Sequence, residues 1–455
     1  MRKTDFLKLA GLLLLIVSIP VSVFLVKQIT RLTSRASESP ANIVVDTTAA
    51  SGFLPRPWRN IAQGGEELVN FLDGVGREVG SLNPKYIRID HVYDAFEVVG
   101  REGNELKFDF SRLDLLIEKI RGVGATPFLA LSYMPQAIAT TDIVSTPKDW
   151  NEWSLVVRRT IEHYSGEKGI AGMYYEVWNE PDLFGKFTAI SYIPLYRAAS
   201  RGAAEAVGVL PFKIGGPATT GLYKNWVDTL MKTVQEEKLR LDFISWHRYD
   251  TNPERHIQDI SEVESWVGNF PYFSEIELWV TEWGPYSDNN PMYDEISGAA
   301  HLLTVVRLQM GKINSAFLFS VKDGKDPNGS PFWGRWGLFT SDATGNKPKP
   351  RFTALSWLTD LGNERLSVSG EGSWVKAIAA RKDGEVQLVL INYDPGGSHS
   401  ETVPVKVTGL DGNYKYKERY IGGETRSGTL TSSGGEVSHQ VFLKANESVF
   451  LTIFP

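Results

Sequence analysis

Two glutamates, Glu180 and Glu282, have the type and setting to do chemistry. Glu180 closes the run Met173 to Asp182, MYYEVWNEPD, and Glu282 lies near the end of Glu277 to Gly284, ELWVTEWG. Each run is aromatic and β-branched, which reads as a buried strand, and each stops at polar residues beside a Trp, Trp178 or Trp283. At the carboxyl end of a parallel barrel strand, such side chains face the open mouth where ligands bind. Two carboxyl groups there suit glycoside hydrolysis. One protonates the leaving oxygen, and the other attacks or assists at the sugar carbon. A carboxyl packed against an indole is disposed to a raised pKa and proton donation, and indole faces pack on sugar rings. Asn179 can bond a hydroxyl without bringing charge. Either glutamate alone also reads as an ordinary strand-end charge in solvent; the pair, in this order, favours catalysis.

The elements that would position the pair alternate between strand and helix, as a parallel barrel demands. Trp58 to Ile61 reads as the first barrel strand and Glu66 to Gly80 as its helix. Tyr86 to Asp90 and Thr126 to Tyr133 follow as strands, with Arg112 to Arg121 and Trp150 to Tyr164 as helices. After the Glu180 strand come a helix over Ile190 to Val207, a strand over Lys213 to Pro217 and a helix over Leu222 to Glu237. Asp242 to Tyr249 is the sixth strand, Ser315 to Val321 the eighth, and Thr353 to Leu361 the closing helix. Glu176 shares strand parity with Glu180 but lies about 7 Å deeper, so it reads as a buried, paired carboxylate. The loop from Lys322 to Gly337 carries Trp333 and Trp336 and lies where loops shape substrate subsites, although the two indoles could equally pack under it.

The WNEP and TEWG segments resemble the acid/base and nucleophile strands of the retaining glycosidases built on (β/α)8 TIM barrels. The closer resemblance is to glycoside hydrolase family 39, which includes β-xylosidases, α-L-iduronidases and exopolysaccharide hydrolases. It is carried also by Pro55 to Ile61 (PRPWRNI), Leu131 to Gln136 (LSYMPQ), Ser245 to Tyr249 (SWHRY) and Gly345 to Leu358 (GNKPKPRFTALSWL). The resemblance implies Glu180 as acid/base and Glu282 as nucleophile, with Arg88 holding the nucleophile ionised. It also implies that His247 and Tyr249 contact the substrate or the nucleophile. A Tyr hydroxyl can donate to a carboxylate and orient it. Structural readings, an ion pair for Arg88 and a satisfied core residue for His247, stand beside these. Trp58, His91, Tyr133, Asn179, Trp283, Trp333 and Trp336 complete the candidate binding or supporting set.

The chain has 455 residues, enough for a barrel and a smaller partner. With a net charge of -6 it gives no reason to expect nucleic acid. It contains no Cys, which excludes disulfides, thiol nucleophiles and Cys-based metal sites, and its seven His lack metal-ligand spacing. No metal or other cofactor is expected. No G-x-S-x-G, H-E-x-x-H, P-loop or G-x-G-x-x-G motif is present. Leu9 to Val26 is an uncharged apolar run flanked by Arg2, Lys3 and Lys8 before it and Lys27, Arg31 and Arg35 after it. At about 1.5 Å per residue it matches the hydrocarbon core, so residues 1–38 read as a transmembrane anchor and stalk. The rest would then lie outside the cytoplasmic membrane; signal cleavage near Ala36 is the alternative.

Residues 39–55 are expected to join an accessory β-domain, 56–362 to form the barrel, and 363–455 to form an antiparallel β-sandwich of short period-two strands. The expected function is retaining hydrolysis of a neutral-sugar polysaccharide or oligosaccharide, β-xylosidase-like or endo-acting. Members of the iduronidase branch carry a Lys two residues after the strand-six His, where this chain has Tyr249. The alternatives are a noncatalytic carbohydrate-binding protein on a barrel scaffold, an α-L-iduronidase-like enzyme, and an inverting hydrolase. The last is distinguished by carboxyl separation.

Overall fold

The computed structural model describes residues 39–326, 328 and 333–455. The chain enters through β1 (Ile43–Phe53) and then builds eight parallel strands. These are β2 (Asn60–Gln63), β3 (Tyr86–Ile89), β6 (Thr126–Leu131), β7 (Met173–Val177), β8 (Phe212–Thr219), β9 (Phe243–Tyr249), β10 (Glu277–Gly284) and β11 (Ser315–Phe319). They close into a barrel because β11 pairs back onto β2, Phe317 beside Asn60. A small hairpin, β4 (Val99–Glu102) and β5 (Glu105–Phe108), stands outside the barrel.

Eight helices lie between and after the strands: α1 (Gly76–Ser81), α2 (Ser111–Gly122), α3 (Trp150–Ile161), α4 (Ile193–Glu205), α5 (Lys224–Glu237), α6 (Pro253–Val267), α7 (Ile296–Gln309) and α8 (Pro350–Asp360). Local chemistry starts several of them. The Asp149 and Asn252 side chains accept from backbone N–H groups in the first turns of α3 and α6, and Pro sits early in α4, α6 and α8. The helix expected over Glu66 to Gly80 is confined to Gly76–Ser81, with a single 3₁₀ turn at Gly65–Glu67 before it. Gly64, Gly65, Gly74 and Gly76 lower helical propensity across that stretch.

The barrel interior is filled from below by rings: Tyr86, Phe128, Tyr174, Phe243, Trp279 and Phe317 form one buried cluster. Tyr174 and Trp279 centroids are 4.6 Å apart, and Phe128 and Phe317 are 4.8 Å apart. This plug forms a floor, and polar side chains begin one layer above it.

The remaining strands are β12 (Glu364–Ser369), β13 (Val375–Lys382), β14 (Glu385–Asn392), β15 (Glu401–Thr408), β16 (Asn413–Tyr420), β17 (Thr425–Thr431), β18 (Glu436–Leu443) and β19 (Ser448–Phe454). With β1 they form one nine-stranded sheet, in the order β17-β16-β19-β14-β13-β12-β1-β15-β18. This corrects the expected antiparallel sandwich in two ways. The sheet is hydrogen-bonded throughout and curls on itself, its end strands β17 and β18 meeting around a core that includes Val45, Leu388, Val405 and Leu451. It is also not wholly antiparallel, since β1 runs parallel to β15, Val45 beside Val407.

Among the described residues no helix is long and apolar enough to cross a membrane. The run Leu9 to Val26 lies outside the described residues.

Candidate active site

The mouth of the barrel holds a cavity of about 430 Å3, lined by Asp90, His91, Tyr133, Glu180, Tyr249 and Glu282 among others. Its two glutamates arrive there by local departures from strand alternation. On β7, simple parity would point Trp178 inward, as it does Tyr174 and Glu176. Instead Trp178 and Glu180 adopt left-handed backbone, with φ of 77° and 46°. The twist at Trp178 sends its indole outward against Trp153 and Phe187. It turns both Asn179 and Glu180 toward the mouth. The Glu180 amide then donates to Ala218 of β8 at 2.9 Å.

On β10 the departure is a bulge. Trp279 lies opposite Ser245 and Val280 opposite Trp246, but Glu282, not Thr281, lies opposite His247. The extra residue, Thr281, shifts parity, so Glu282 faces inward and Trp283 faces the helices.

Arg88 organises what these turns deliver. Fully buried, it donates Nε to Glu176 at 2.7 Å, one terminal nitrogen to Glu282 at 2.8 Å and the other to Asn179 Oδ1 at 2.7 Å. Burial alone would lower its pKa; Glu176 and Glu282 outweigh that and hold the guanidinium charged. The second Glu282 oxygen accepts from the Tyr249 hydroxyl at 2.9 Å and lies 3.6 Å from His247 Nδ1. His247 Nδ1 and Glu180 Oε1 are hydrogen-bonded at 2.9 Å. One oxygen from each glutamate and one His247 nitrogen all lie within 4.8 Å of one another.

Burial pushes the Glu282 carboxyl up, and repulsion from Glu180 and Asp90 adds to this; His247 and Arg88 pull down without cancelling it. For His247, burial would lower the pKa, but Glu282 and the bond to Glu180 raise it overall. Burial raises the Tyr249 hydroxyl far above its ordinary value, and the Glu282 charge adds to the effect, so this side chain remains a donor. Glu180, His247 and Glu282 could also offer ligands to a cation, but Arg88 already neutralises Glu282.

Of the other expected residues, His91 and Tyr133 line the cavity, their rings 4.4 Å apart. The His91 ring lies directly over Gly65, where a Cβ would come within 2.5 Å of it. Trp336 lines the wall beside Phe319. Three expectations need correction. Trp58 precedes β2 and sits buried at the closed end beside Arg56, because β2 begins at Asn60. Trp283 packs against His256 and His301 in the helix layer, as the Thr281 bulge dictates. Trp333 does not line the cavity; it meets Trp336 edge-on at 6.0 Å. Asn179 lines the cavity as expected, accepts from Arg88, and donates its amide to Asp90 and to Tyr133.

Sequence reasoning passed over Asp90, Leu183, Phe184, Thr220, Ser287 and Phe319, all of which line the cavity. Asp90 offered a signal, being an acid two residues beyond Arg88 with inward parity. Its Oδ1 is buried without a partner, and burial raises its pKa despite the pull of His91 and Arg88.

The model of glycosyl hydrolases family 39 matches residues 25–421 of this chain. The beta-xylosidase of Geobacillus stearothermophilus is 26% identical over 339 residues, covering 66% of this chain and 64% of that protein's length. The beta-xylosidase of Caldicellulosiruptor saccharolyticus is 26% identical over 348 residues, 70% of each chain. Among solved structures, the monomeric beta-xylosidase from Caulobacter crescentus CB15 superposes with a TM-score of 0.78 at 20% identity, over 91% of this chain and 99% of that one, a likeness of fold. With a family model matching most of its length, and with a barrel whose mouth holds both Glu180 and Glu282, this chain belongs to glycosyl hydrolases family 39.

Proposed function

We propose that the chain hydrolyses O-glycosidic bonds of a neutral-sugar oligosaccharide or polysaccharide with retention of anomeric configuration. The observation that carries this reading is the closeness of the two carboxyl groups, whose facing oxygens lie within 4.8 Å. Retaining enzymes hold their carboxyl groups about 5–5.5 Å apart, and inverting ones about 6.5–9.5 Å apart to admit a water.

In the first step Glu282, held by Arg88 and Tyr249, attacks the anomeric carbon while Glu180 protonates the departing oxygen. A glycosyl ester to Glu282 forms and the leaving group gains the proton. In the second step the Glu180 carboxylate removes a proton from water, which attacks the same carbon and releases Glu282. The hydrogen bond between His247 Nδ1 and Glu180 Oε1 holds the Glu180 carboxylate in place for this step. Tyr249 donates to whichever charge remains on Glu282.

The neutral-sugar reading rests on the cavity wall. Among the described residues lining it there is no Lys or Arg. A sugar carboxylate would need a cation there to offset its desolvation. Arg248 is committed to Asp259 at 2.6 and 2.7 Å, and Tyr249 to Glu282. The beta-xylosidases among its relatives favour a xyloside, and a hexoside is the second candidate. The apolar run Leu9 to Val26 favours action outside the cytoplasm, on an anchor or after cleavage.

The deciding experiment follows hydrolysis of aryl β-xyloside and β-glucoside by NMR, beside an aryl α-iduronide. First-formed product of retained configuration, and no turnover by Glu282→Ala until azide restores it as the inverted glycosyl azide, are expected. First-formed product of inverted configuration would overturn the mechanism, and preference for the iduronide would overturn the neutral-sugar assignment.

A further inference from the structure

The catalytic reading fixes where the leaving group must lie, and the surface there carries exposed apolar side chains. The glycone must place its anomeric carbon within reach of Glu282, so it occupies the cavity over that carboxylate. The leaving oxygen meets Glu180, so whatever it carries extends over the loops that follow β7 and β8. Those loops form one braced unit. The amides of Leu183 and Phe184 both donate back to the Glu180 carbonyl, at 2.9 and 2.7 Å. Buried Trp178 donates Nε1 to the Phe184 carbonyl at 2.8 Å. Asp182 accepts from the Thr220 amide at 3.0 Å and from its hydroxyl, and the Thr220 hydroxyl is 3.0 Å from the Tyr223 hydroxyl.

On this unit Leu183 is 54% exposed, Phe184 39% and Tyr223 42%, although Leu183, Phe184 and Thr220 line the cavity itself. Apolar side chains left open at the rim of a polar pocket mark a surface that a ligand covers. The backbone under them is tied down by at least five hydrogen bonds, so the surface is held ready rather than assembled on binding.

We propose that the loop unit of Leu183, Phe184, Thr220 and Tyr223 is the leaving-group subsite, binding a second sugar ring through Tyr223 and the apolar faces of Leu183 and Phe184. This inference rests on the assignment of Glu180 as the proton donor. It gives Asp182 and Trp178 a positioning role, since they hold the subsite in register with that acid.

The test compares two substrates of one sugar: the β-linked disaccharide and the β-glycosyl fluoride, whose leaving atom carries no ring. Xylobiose and xylosyl fluoride serve if the enzyme takes xylose, and cellobiose and glucosyl fluoride if it takes glucose. For Tyr223→Ala, kcat/KM on the disaccharide should fall about tenfold, the loss expected for about 1.4 kcal/mol of binding. Turnover of the fluoride should stay within about twofold, which also reports that the variant is folded. Tyr223→Phe, which keeps the ring, should retain most disaccharide activity. An equal fall on both substrates, or no fall on either, overturns the subsite. If wild type turns over neither fluoride nor disaccharide in either series, the xyloside-or-glucoside assignment of the proposed function fails, an outcome distinct from failure of the subsite.

Discussion

Arg88 and Glu282 form an ion pair at 2.8 Å in which the guanidinium is wholly buried and the carboxylate nearly so. Such a pair is costly to half-remove, because the partner left behind stays desolvated. Here two carboxylates, Glu176 and Glu282, would be left behind. Arg88→Met should therefore lower unfolding free energy by about 3–5 kcal/mol, measured by denaturant titration. Restored stability in the Arg88→Met, Glu176→Gln double variant, without restored turnover, would separate structural support from support of the nucleophile. Stability unchanged in the single variant would refute the account.

Tyr249→Phe removes one donor from Glu282 and leaves the ring in place. A hydrogen bond to a charged group contributes about 1.5–3 kcal/mol, so kcat/KM should fall about 10- to 100-fold. The acid limb of the pH–rate profile should also move upward, since the carboxylate loses a group that favours its charged form. A fall in rate with an unmoved acid limb would show that Tyr249 acts elsewhere.

The indoles divide by where the backbone aims them. Trp336→Ala should raise KM, because Trp336 lines the cavity. Trp283→Phe should leave KM unchanged and lower stability by about 1–3 kcal/mol, as its ring is buried against His256 and His301. Initial-rate kinetics and thermal unfolding on both variants check this; a KM effect confined to Trp283→Phe would reverse the assignment.

His301 is buried behind the site, donating to the Asp250 carbonyl, and burial pushes its pKa down to about 3. The unfolded chain takes up a proton near pH 6.5 that the folded chain refuses. The stability due to neutral His301 is thus present above pH 6.5 and lost as pH falls from there toward 3. Burial and Glu282 act on His247 with the opposite net result, so its contribution is present at low pH and lost as pH rises through its raised pKa. Unfolding titrations of wild type and His301→Asn between pH 7 and pH 4 isolate the first effect. The difference should shrink with acid by up to about 1.4 kcal/mol per pH unit, and a difference independent of pH would show that His301 is not buried neutral.

The barrel was legible because its strands are apolar on both faces and alternate with amphipathic helices, and because WNEP and TEWG mark two strand ends. Alternation alone could not place every side chain, since the chain breaks it where it matters. The left-handed turns at Trp178 and Glu180 and the extra residue Thr281 re-aim Glu180 and Glu282 inward and both neighbouring indoles outward. Trp283 enters the binding or supporting set only for its place beside Glu282, and its burial among the helices is not visible in the sequence. Asp90 was missed because an acid beyond a strand end resembles a solvated charge until its burial is known. The hairpin of β4 and β5 and strand β17 escaped because they are mostly exposed and carry little apolar pattern.

Strand β1 is made before any of the barrel yet belongs to the sheet made after it, with Val44 beside Ser369 and Val45 beside Val407. During synthesis its partners are more than three hundred residues away, so it must wait until the whole barrel has emerged. Its backbone edges, on a segment that carries Ile43 and Val45, stay open through that interval, the kind of surface that templates misassembly. Closing so long a loop is slow, whereas barrel strands consecutive in the chain pair across one short connection, and only the β11–β2 closure spans the barrel. The accessory sheet is therefore the late step in maturation, and any factor that shields nascent chains has its longest task at the amino end of this protein.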